Sequence, residues 1–480
     1  MEDTNRDIFE PSPSKPGLGL GEVLKLSWPA SLTMLNTTLL RFVDGIMVSR
    51  VGPAAFGAQF IGGMFAFIPE SFAMGALTVV NTYVSQNYGA GRLKQTGMYA
   101  WAGMATAAAF CCLALPLIFL ADRIFALFGH APDVTALETM YFQYMLASIV
   151  VTLPRAVLEQ FFFGTHRPRV VLFGSVVANV LNVALNYILI FGKLGLPAMG
   201  LKGSAIGSLI SWVVQFLILL AIFLSAGTRK TYYTHLWRAV RLRHCTELLK
   251  VGWPAGVQLC NDIASWSLFS AALVGKFGTV HLAATTVAMR YMGLSFMPAI
   301  GIGIAATVLV GKCIGEGRKD LARRRTHAAL LAGMVYMGLC GLAFYFFRRP
   351  MVEFFVSVAP SGELGPEQAR VMADEIVRIG GQIMICAAIF QLFDAIGIVY
   401  IGALRGTGDT LWPMILTVAL SWGMVVGGGA LVVHTLPQLA SLGPWIPASL
   451  YVVALGAVVG WRFETGRWEK IDLFKRKISG

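Results

Sequence analysis

Charge is scarce in this chain. Asp, Glu, Lys and Arg make up 13% of its 480 residues, about half the share of an ordinary soluble protein. That load excludes a soluble enzyme. With 56% hydrophobic residues and a mean hydropathy of +0.68, it excludes a disordered chain as well. Soluble-enzyme motifs are missing too. There is no Walker A loop, so ATP is not the energy source, and there is neither an HExxH nor an aspartate-rich diphosphate motif. The cysteines include no CxxC pair, which leaves no zinc or redox framework. The histidines are scattered at positions 130, 166, 235, 244, 281, 327 and 434 and form no metal site. The first 20 residues are polar and rich in Pro and Gly. They lack the apolar core of a signal peptide and read as a disordered cytoplasmic tail.

What the chain has is apolar runs of about 20 residues, the length that crosses a bilayer as a helix. Twelve spans are expected, near 24–50, 56–83, 97–120, 138–163, 170–191, 203–226, 248–274, 283–312, 327–347, 376–402, 411–433 and 445–463. The fold class is therefore an all-α polytopic membrane protein. Gly, Ala and Ser are spread through the spans and allow helices to pack closely in lipid. The net charge of +13 reads as topology and lipid headgroups rather than nucleic-acid binding. With both termini placed inside, the inner segments hold 23 Lys and Arg and the outer segments 8. That bias predicts cytoplasmic termini.

The chain repeats itself. Trp28-Pro29-Ala30 returns as Trp253-Pro254-Ala255, and Gly89-Ala90-Gly91-Arg92 as Gly315-Glu316-Gly317-Arg318, at offsets of 225 and 226. Gly164-Thr165 returns as Gly406-Thr407, with the extra length in the loop between spans nine and ten. The expected organisation is a tail over 1–20, a six-helix lobe over 21–226, a basic cytoplasmic linker over 227–247, a second six-helix lobe over 248–463, and a basic tail over 464–480. Six spans per repeat leave both lobes in the same orientation, the plan of a transporter with a cavity between its lobes.

An ionisable residue inside a span costs roughly 2.5–3.5 kcal/mol on insertion scales and needs a reason. Asp44, Asp262 and Asp394 are the best-placed acids for binding a proton or a cation. Asp44 has Arg41 three residues before it as a local alternative partner, and Asp262 has Ser265 three residues after it. Asp394 sits in the most apolar setting. Glu70 follows Pro69, Arg155 and Glu159 are spaced to pair, and Arg290 is placed to balance the acids of the second lobe. Asn179, Asn182 and Asn186 form one polar stripe that faces protein or a cavity. Glu70, Arg290, Phe390 and the three asparagines are the substrate-cavity candidates. Pro29 and Pro254 mark spans 1 and 7 as the parts expected to bend.

At this point the chain resembles the multidrug and toxic compound extrusion (MATE) family, of the NorM-like branch. The carriers are FVDGIMVSRVG, VSQNYGAGR, LNYILIFGKLGLPAMGLKGSAIGS, VGWPAGVQL and FDAIGIVYIGALRGTGDT, in that order across residues 20–460. The resemblance implies an antiporter that expels lipophilic, often cationic compounds against an inward flow of H⁺ or Na⁺. It needs no cofactor beyond that ion and works as a monomer. The essential acids of spans 7 and 10 in the family match Asp262 and Asp394, and the acid of span 1 matches Asp44. Na⁺ at Asp262 and Asp394 is one expectation. The shorter Asp at 262, where relatives often carry Glu, and Phe390, where they tend to carry Tyr, tilt it toward H⁺. Two rivals stand beside this reading. One is a lipid-linked oligosaccharide flippase of the same superfamily, kept alive by Arg41, Arg155 and Arg290. The other is a polytopic lipid-handling membrane enzyme.

Overall fold

A computed structural model of the chain describes residue 14, residues 17–358 and residues 366–474. Among the described residues every regular element is a helix. The long helices among the described residues make twelve rods in the order the sequence predicts: α1 (Leu20–Ser49), α2 (Pro53–Gly89), α3 (Leu93–Ala126), α4 (Pro132–Ala147 and Ile149–Gly164), α5 (Pro168–Phe191), α6 (Gly200–Phe223), α7 (Leu242–Leu268), α8 (Thr279–Gly315), α9 (Lys319–Phe346), α10 (Pro366–Thr407), α11 (Leu411–Thr435) and α12 (Leu442–Glu464), with the short helix Arg348–Val358 between α9 and α10. Among the described residues, nine rods are long and apolar enough to cross a membrane, and the two pieces of α4, bent by 42° at Ser148, make a tenth. The other two, α1 and α7, are about 45 and 40 Å long at 1.5 Å per residue. Their hydropathy is lowered by Arg41 and Asp44 in α1 and by Glu247 and Asp262 in α7. The chain is thus a multi-pass membrane protein of two six-helix lobes.

Local chemistry sets the irregularities. Pro116 starts a tight 3₁₀ stretch over Leu115–Leu120 in α3. Wider π-helical turns lie just beyond α7, over Phe269–Val274, and inside α11, over Ser421–Gly428. Pro29 and Pro254 both lie inside uninterrupted helices. The linker folds in part as the short helix Ala226–Tyr232, with Thr234 bonded back to the Phe223 carbonyl.

The lobes meet at the end of the molecule that carries both termini, and the meeting follows the repeat. A Cβ on Gly89 of α2 would strike the Lys312 carbonyl of α8, and one on Gly315 of α8 would strike the Gln86 carbonyl of α2. Lys312 stands 226 residues after Gln86, as Gly315 does after Gly89, so each contact is the other's image. Higher up, Gly75 of α2 lies against Ala255 of α7, and Gly301 of α8 lies against Ser31 of α1. Polar bonds stitch the same seam. Ser31 Oγ donates to the Pro298 carbonyl (2.7 Å), Thr82 to that of Arg405 (2.8 Å), and Tyr99 to Glu247 (2.6 Å). In the α4–α5 turn, His166 stacks on Tyr88 at 5.1 Å. Burial, helped by the nearby Lys312 charge, pushes its imidazole down to about 3, so it stays neutral.

Of the expected disordered tail over 1–20, Ser14 and residues 17–20 are described, and Ser14 and Gly17 are docked. Ser14 donates to Glu316 from both its nitrogen and its hydroxyl (3.2 and 3.0 Å), and Arg318 and Arg325 donate to the Ser14 and Gly17 carbonyls (2.7 Å each). From the other end, Phe474 reaches Arg92 and Tyr83 of the first lobe. Residues 1–13, 15–16 and 475–480 of the tails lie outside the described residues.

The seam leaves no room for a side chain at its glycines. Overpacking costs about 1–3 kcal/mol. Gly315→Val should therefore disfavour the closed seam by about 5- to 150-fold. Spin labels on Lys94 and Arg324, exposed on opposite lobes at that end, should gain a longer distance component in the variant. An unchanged distribution would show that the glycine contact does not hold the seam.

Candidate functional site

Three sets of polar side chains stand at membrane depth beyond the seam, two in the first lobe and one in the second. In the first lobe Asp44 accepts three hydrogen bonds from three helices: Gln59 Nε2 of α2 (2.9 Å), Asn186 Nδ2 of α5 (2.6 Å) and Ser204 Oγ of α6 (2.8 Å). The ladder continues from Asn186 Nδ2 to Asn182 Oδ1 (3.0 Å) and from Asn182 Nδ2 to Ser208 Oγ (3.1 Å). Asn179 Nδ2 donates to the Asn36 carbonyl (2.8 Å). Gly207 leaves the space in which the Asn186 amide sits, and Asn186 Oδ1 is enclosed with no hydrogen-bond partner among the described residues. The local pairing of Asp44 with Arg41 does not form. Asp44 turns toward α5 and α6, while the Arg41 guanidinium lies 5.4 Å over the Phe67 ring of α2.

A second group in the same lobe surrounds Glu70. Thr152 Oγ1 donates to Glu70 (2.7 Å), and Arg155 pairs with Glu159 as their spacing predicts. Gln215 of α6 donates to Glu159 (3.0 Å) and accepts from Arg155 (3.4 Å). The group gathers just past the 42° bend of α4, where the helix turns its polar face to α2 and α6.

In the second lobe Asp262 and Asp394 come within Coulombic range of each other, and Tyr451 of α12 lies within range of both. Both acids are half-buried. Arg405 lies within Coulombic range of Asp262. Ser265 does not bond the Asp262 carboxylate: its hydroxyl donates to the Asp262 main-chain carbonyl (3.3 Å), as helical serines do. Arg290 does not balance these acids. It is exposed on α8 and joins no ion pair among the described residues. Phe390 is buried at 3% exposure and stacks on Trp445 at 6.3 Å, so it packs the lobe and lines no open space.

The two lobes share one device. Asn36 Nδ2 of α1 donates to Ser175 Oγ of α5 (2.7 Å), and Asn261 Nδ2 of α7 donates to Ser421 Oγ of α11 (3.0 Å). Trp422 Nε1 adds a bond to Asn261 Oδ1 (2.8 Å). Sequence reasoning missed both asparagines, although the repeat marks them: each stands eight residues after the tryptophan of its Trp-Pro-Ala. Gln59, Ser204, Thr152, Gln215 and Tyr451 were missed too, because single polar residues in separate spans carry no spacing signal. Interhelical hydrogen bonds in membranes couple by about 0.6 kcal/mol on average, with a maximum near 1.7. Double-mutant cycles with Asn36→Ala and Ser175→Ala, and with Asn261→Ala and Ser421→Ala, should give couplings in that range and similar to each other. The unfolding free energy in bicelles reads them, and a coupling near zero in one lobe would break the equivalence.

Comparison with known proteins fits this architecture. The MatE family model matches residues 29–188 and 254–427, so the two stretches begin at Pro29 and Pro254, the same residue of the repeat. A probable multidrug resistance protein NorM of Agrobacterium fabrum is 31% identical over 79% of each chain. Another of that description, from Mesorhizobium japonicum, is 27% identical over 91% of this chain and 92% of its own. Among solved structures, a mutant of the Vibrio cholerae MATE transporter VcmN shares the fold at a TM-score of 0.83 and 17% identity, covering 95% of this chain and 98% of its own. An outward-facing multidrug resistance MATE family transporter does so at 0.81 and 20%, covering 96% and 100%. With a family match that begins twice at one proline and covers both lobes, the chain belongs to the MatE family.

Proposed function

We propose that the chain is a secondary active multidrug efflux antiporter of a bacterial inner membrane, with both termini in the cytoplasm. It exports lipophilic, often cationic small molecules in exchange for inward H⁺ or Na⁺. The observation that carries this reading is the placement of the acids. The lobes are pressed together at the end bearing both termini, and Asp44 on one side and Asp262 with Asp394 on the other sit beyond that seam, at membrane depth. With the termini inside, as the loop charges favour, this conformation faces outward. The MATE relatives are described as multidrug resistance proteins, which favours drug export over a lipid-linked saccharide flippase or a lipid-handling enzyme.

The coupling ion acts as a second substrate. Two neighbouring carboxylates repel each other, and one proton or one Na⁺ relieves that repulsion. When the ion enters from outside, the second lobe loses negative charge and its hold on a cationic substrate weakens. Release outward and closure of the outer end follow from that difference in affinity. Phe390 offers no oxygen beside the pair, and Ser265 spends its hydroxyl on the backbone, so neither adds a ligand to a Na⁺ shell. The lack of those two ligands favours H⁺ as the coupling ion. Asp44 is a further ion position in the first lobe, where Asn186 Oδ1 offers an unengaged acceptor beside the carboxylate. The aromatic and Met side chains accept varied flat substrates by dispersion and cation–π contact. All of these groups lie within one chain, which supports a functional monomer.

Purified protein in proteoliposomes tests the proposal. A fluorescent lipophilic cation should move when a pH gradient is imposed and not when a Na⁺ gradient is imposed. Asp394→Asn should lower that rate at least tenfold, while Asn179→Ala, which removes only one hydrogen bond to a main-chain carbonyl, should change it by less than threefold. Undiminished, gradient-driven transport in Asp394→Asn would overturn the assignment of the coupling site.

A further inference from the structure

The turn between α4 and α5 departs from its duplicate where a glycine is expected. Gly164-Thr165-His166 in the first lobe answers to Gly406-Thr407-Gly408 in the second. Both third residues take a left-handed backbone, at φ 60° for His166 and 92° for Gly408. Glycine does so without strain, whereas a side chain in that region is uncommon and points to a use.

The His166 ring stacks on Tyr88 of α2, with the ring centres 5.1 Å apart and the planes 29° from parallel. Its Nε2 is enclosed and meets no hydrogen-bond partner among the described residues. A proton on that nitrogen would be a buried donor without an acceptor. The charges around the ring do not invite one. Lys312 of α8 lies within Coulombic range and repels a second cation. Glu316 is engaged: it lies 3.7 Å from the Lys312 ammonium and accepts from Ser14. Arg167, next in the turn, lies 5.7 Å over the Phe162 ring and donates to Thr228 (3.3 Å). Tyr232 of the linker helix lies within Coulombic range of Arg167 and of Tyr88. Burial first, and Lys312 second, hold the imidazole neutral, down at about 3 from its ordinary 6.5.

This ring stands at the tightest part of the seam. Gly89 follows Tyr88 directly, and a Cβ on it would strike the Lys312 carbonyl. Parting α2 from α8 there takes Lys312 away from the ring and admits water beside Nε2. The imidazole then returns toward its ordinary value and binds a proton from the cytoplasm. Closing the seam again requires that this proton be given up.

We infer that His166 is a proton-operated residue of the cytoplasmic gate: the seam closes over the neutral ring only, so an acid cytoplasm holds the transporter open to the inside. The inference rests on the alternating-access export reading. It gives the antiporter a brake, because each cycle carries H⁺ inward and a cytoplasm already rich in protons stops the return to the outward-facing state. The open state binds more protons than the closed one, so the closed seam is favoured above about pH 6.5 and loses ground as pH falls below it. Between about pH 7.5 and 5.5 the open-to-closed ratio should gain about tenfold from His166 alone.

The test measures distances between spin labels on Lys94 and Arg324 in the full chain in nanodiscs, at those two pH values. The variants are His166→Asn, which tolerates the left-handed backbone and does not titrate, and His166→Gly, the residue of the duplicate. At the higher pH both should match wild type. At the lower pH the ratio of the longer distance component to the shorter should rise about tenfold more in wild type than in either variant. The acids of the two lobes titrate in all three proteins, so the difference reads His166. An equal response in wild type and variants would assign the pH effect to those acids, overturning the inference and leaving export standing. Variants that already differ from wild type at the higher pH would show a packing role and overturn it too. A single short distance in every protein at both pH values would mean that the seam does not part, and alternating access would fail together with the inference.

Discussion

The bilayer offers no water to a polar group, and this constraint organises the molecule. Every amide, hydroxyl and carboxylate within the spans has to find its partner in the protein or face a water-filled gap. Asp44 meets the demand by drawing donors from three helices. Asn36 and Asn261 meet it by tying the first helix of each lobe to the fifth. Glu159 meets it through Arg155 and Gln215. The same bonds that satisfy the polar groups thereby define which helices move together as one lobe.

Between the lobes the constraint works in the opposite sense. A contact that has to open and close cannot be built from many buried charges, because each opening would leave them unpaired. The seam uses backbone against backbone instead, with Gly89 on Lys312 and Gly315 on Gln86, and with hydroxyls donating to carbonyls at Ser31 and Thr82. One charged contact is an exception: Arg325, itself fully buried, holds Glu22 and the Gly17 carbonyl. A close-packed, largely neutral seam suits an interface that alternates between two packings.

Duplication gives the two lobes one plan with different contents. The Asn–Ser bond is kept in both, and so are the glycine contacts. The acids are not: the first lobe sets Asp44 among neutral donors, whereas the second brings Asp262 and Asp394 within Coulombic range of each other and of Tyr451. The symmetric elements hold the fold and the seam. The asymmetric ones are the acids to which the proposed coupling is assigned.

The sequence by itself determined the architecture. Low charge and long apolar runs dictate helical spans in lipid, and the recurring Trp-Pro-Ala and Gly-x-Gly-Arg segments dictate two lobes, because both signals are local or periodic. The candidate acids were legible for the same reason, since a lone carboxylate stands out in an apolar run. Their partners were not. Arg41 lies three residues from Asp44 and still turns to Phe67, Ser265 bonds a carbonyl in place of the Asp262 carboxylate, Arg290 stays apart from the acids of its own lobe, and Phe390 packs on Trp445. Only the tertiary structure decides such pairings. They depend on how each helix is rotated about its axis, and that rotation is fixed by the sum of its packing contacts with helices far away in the chain.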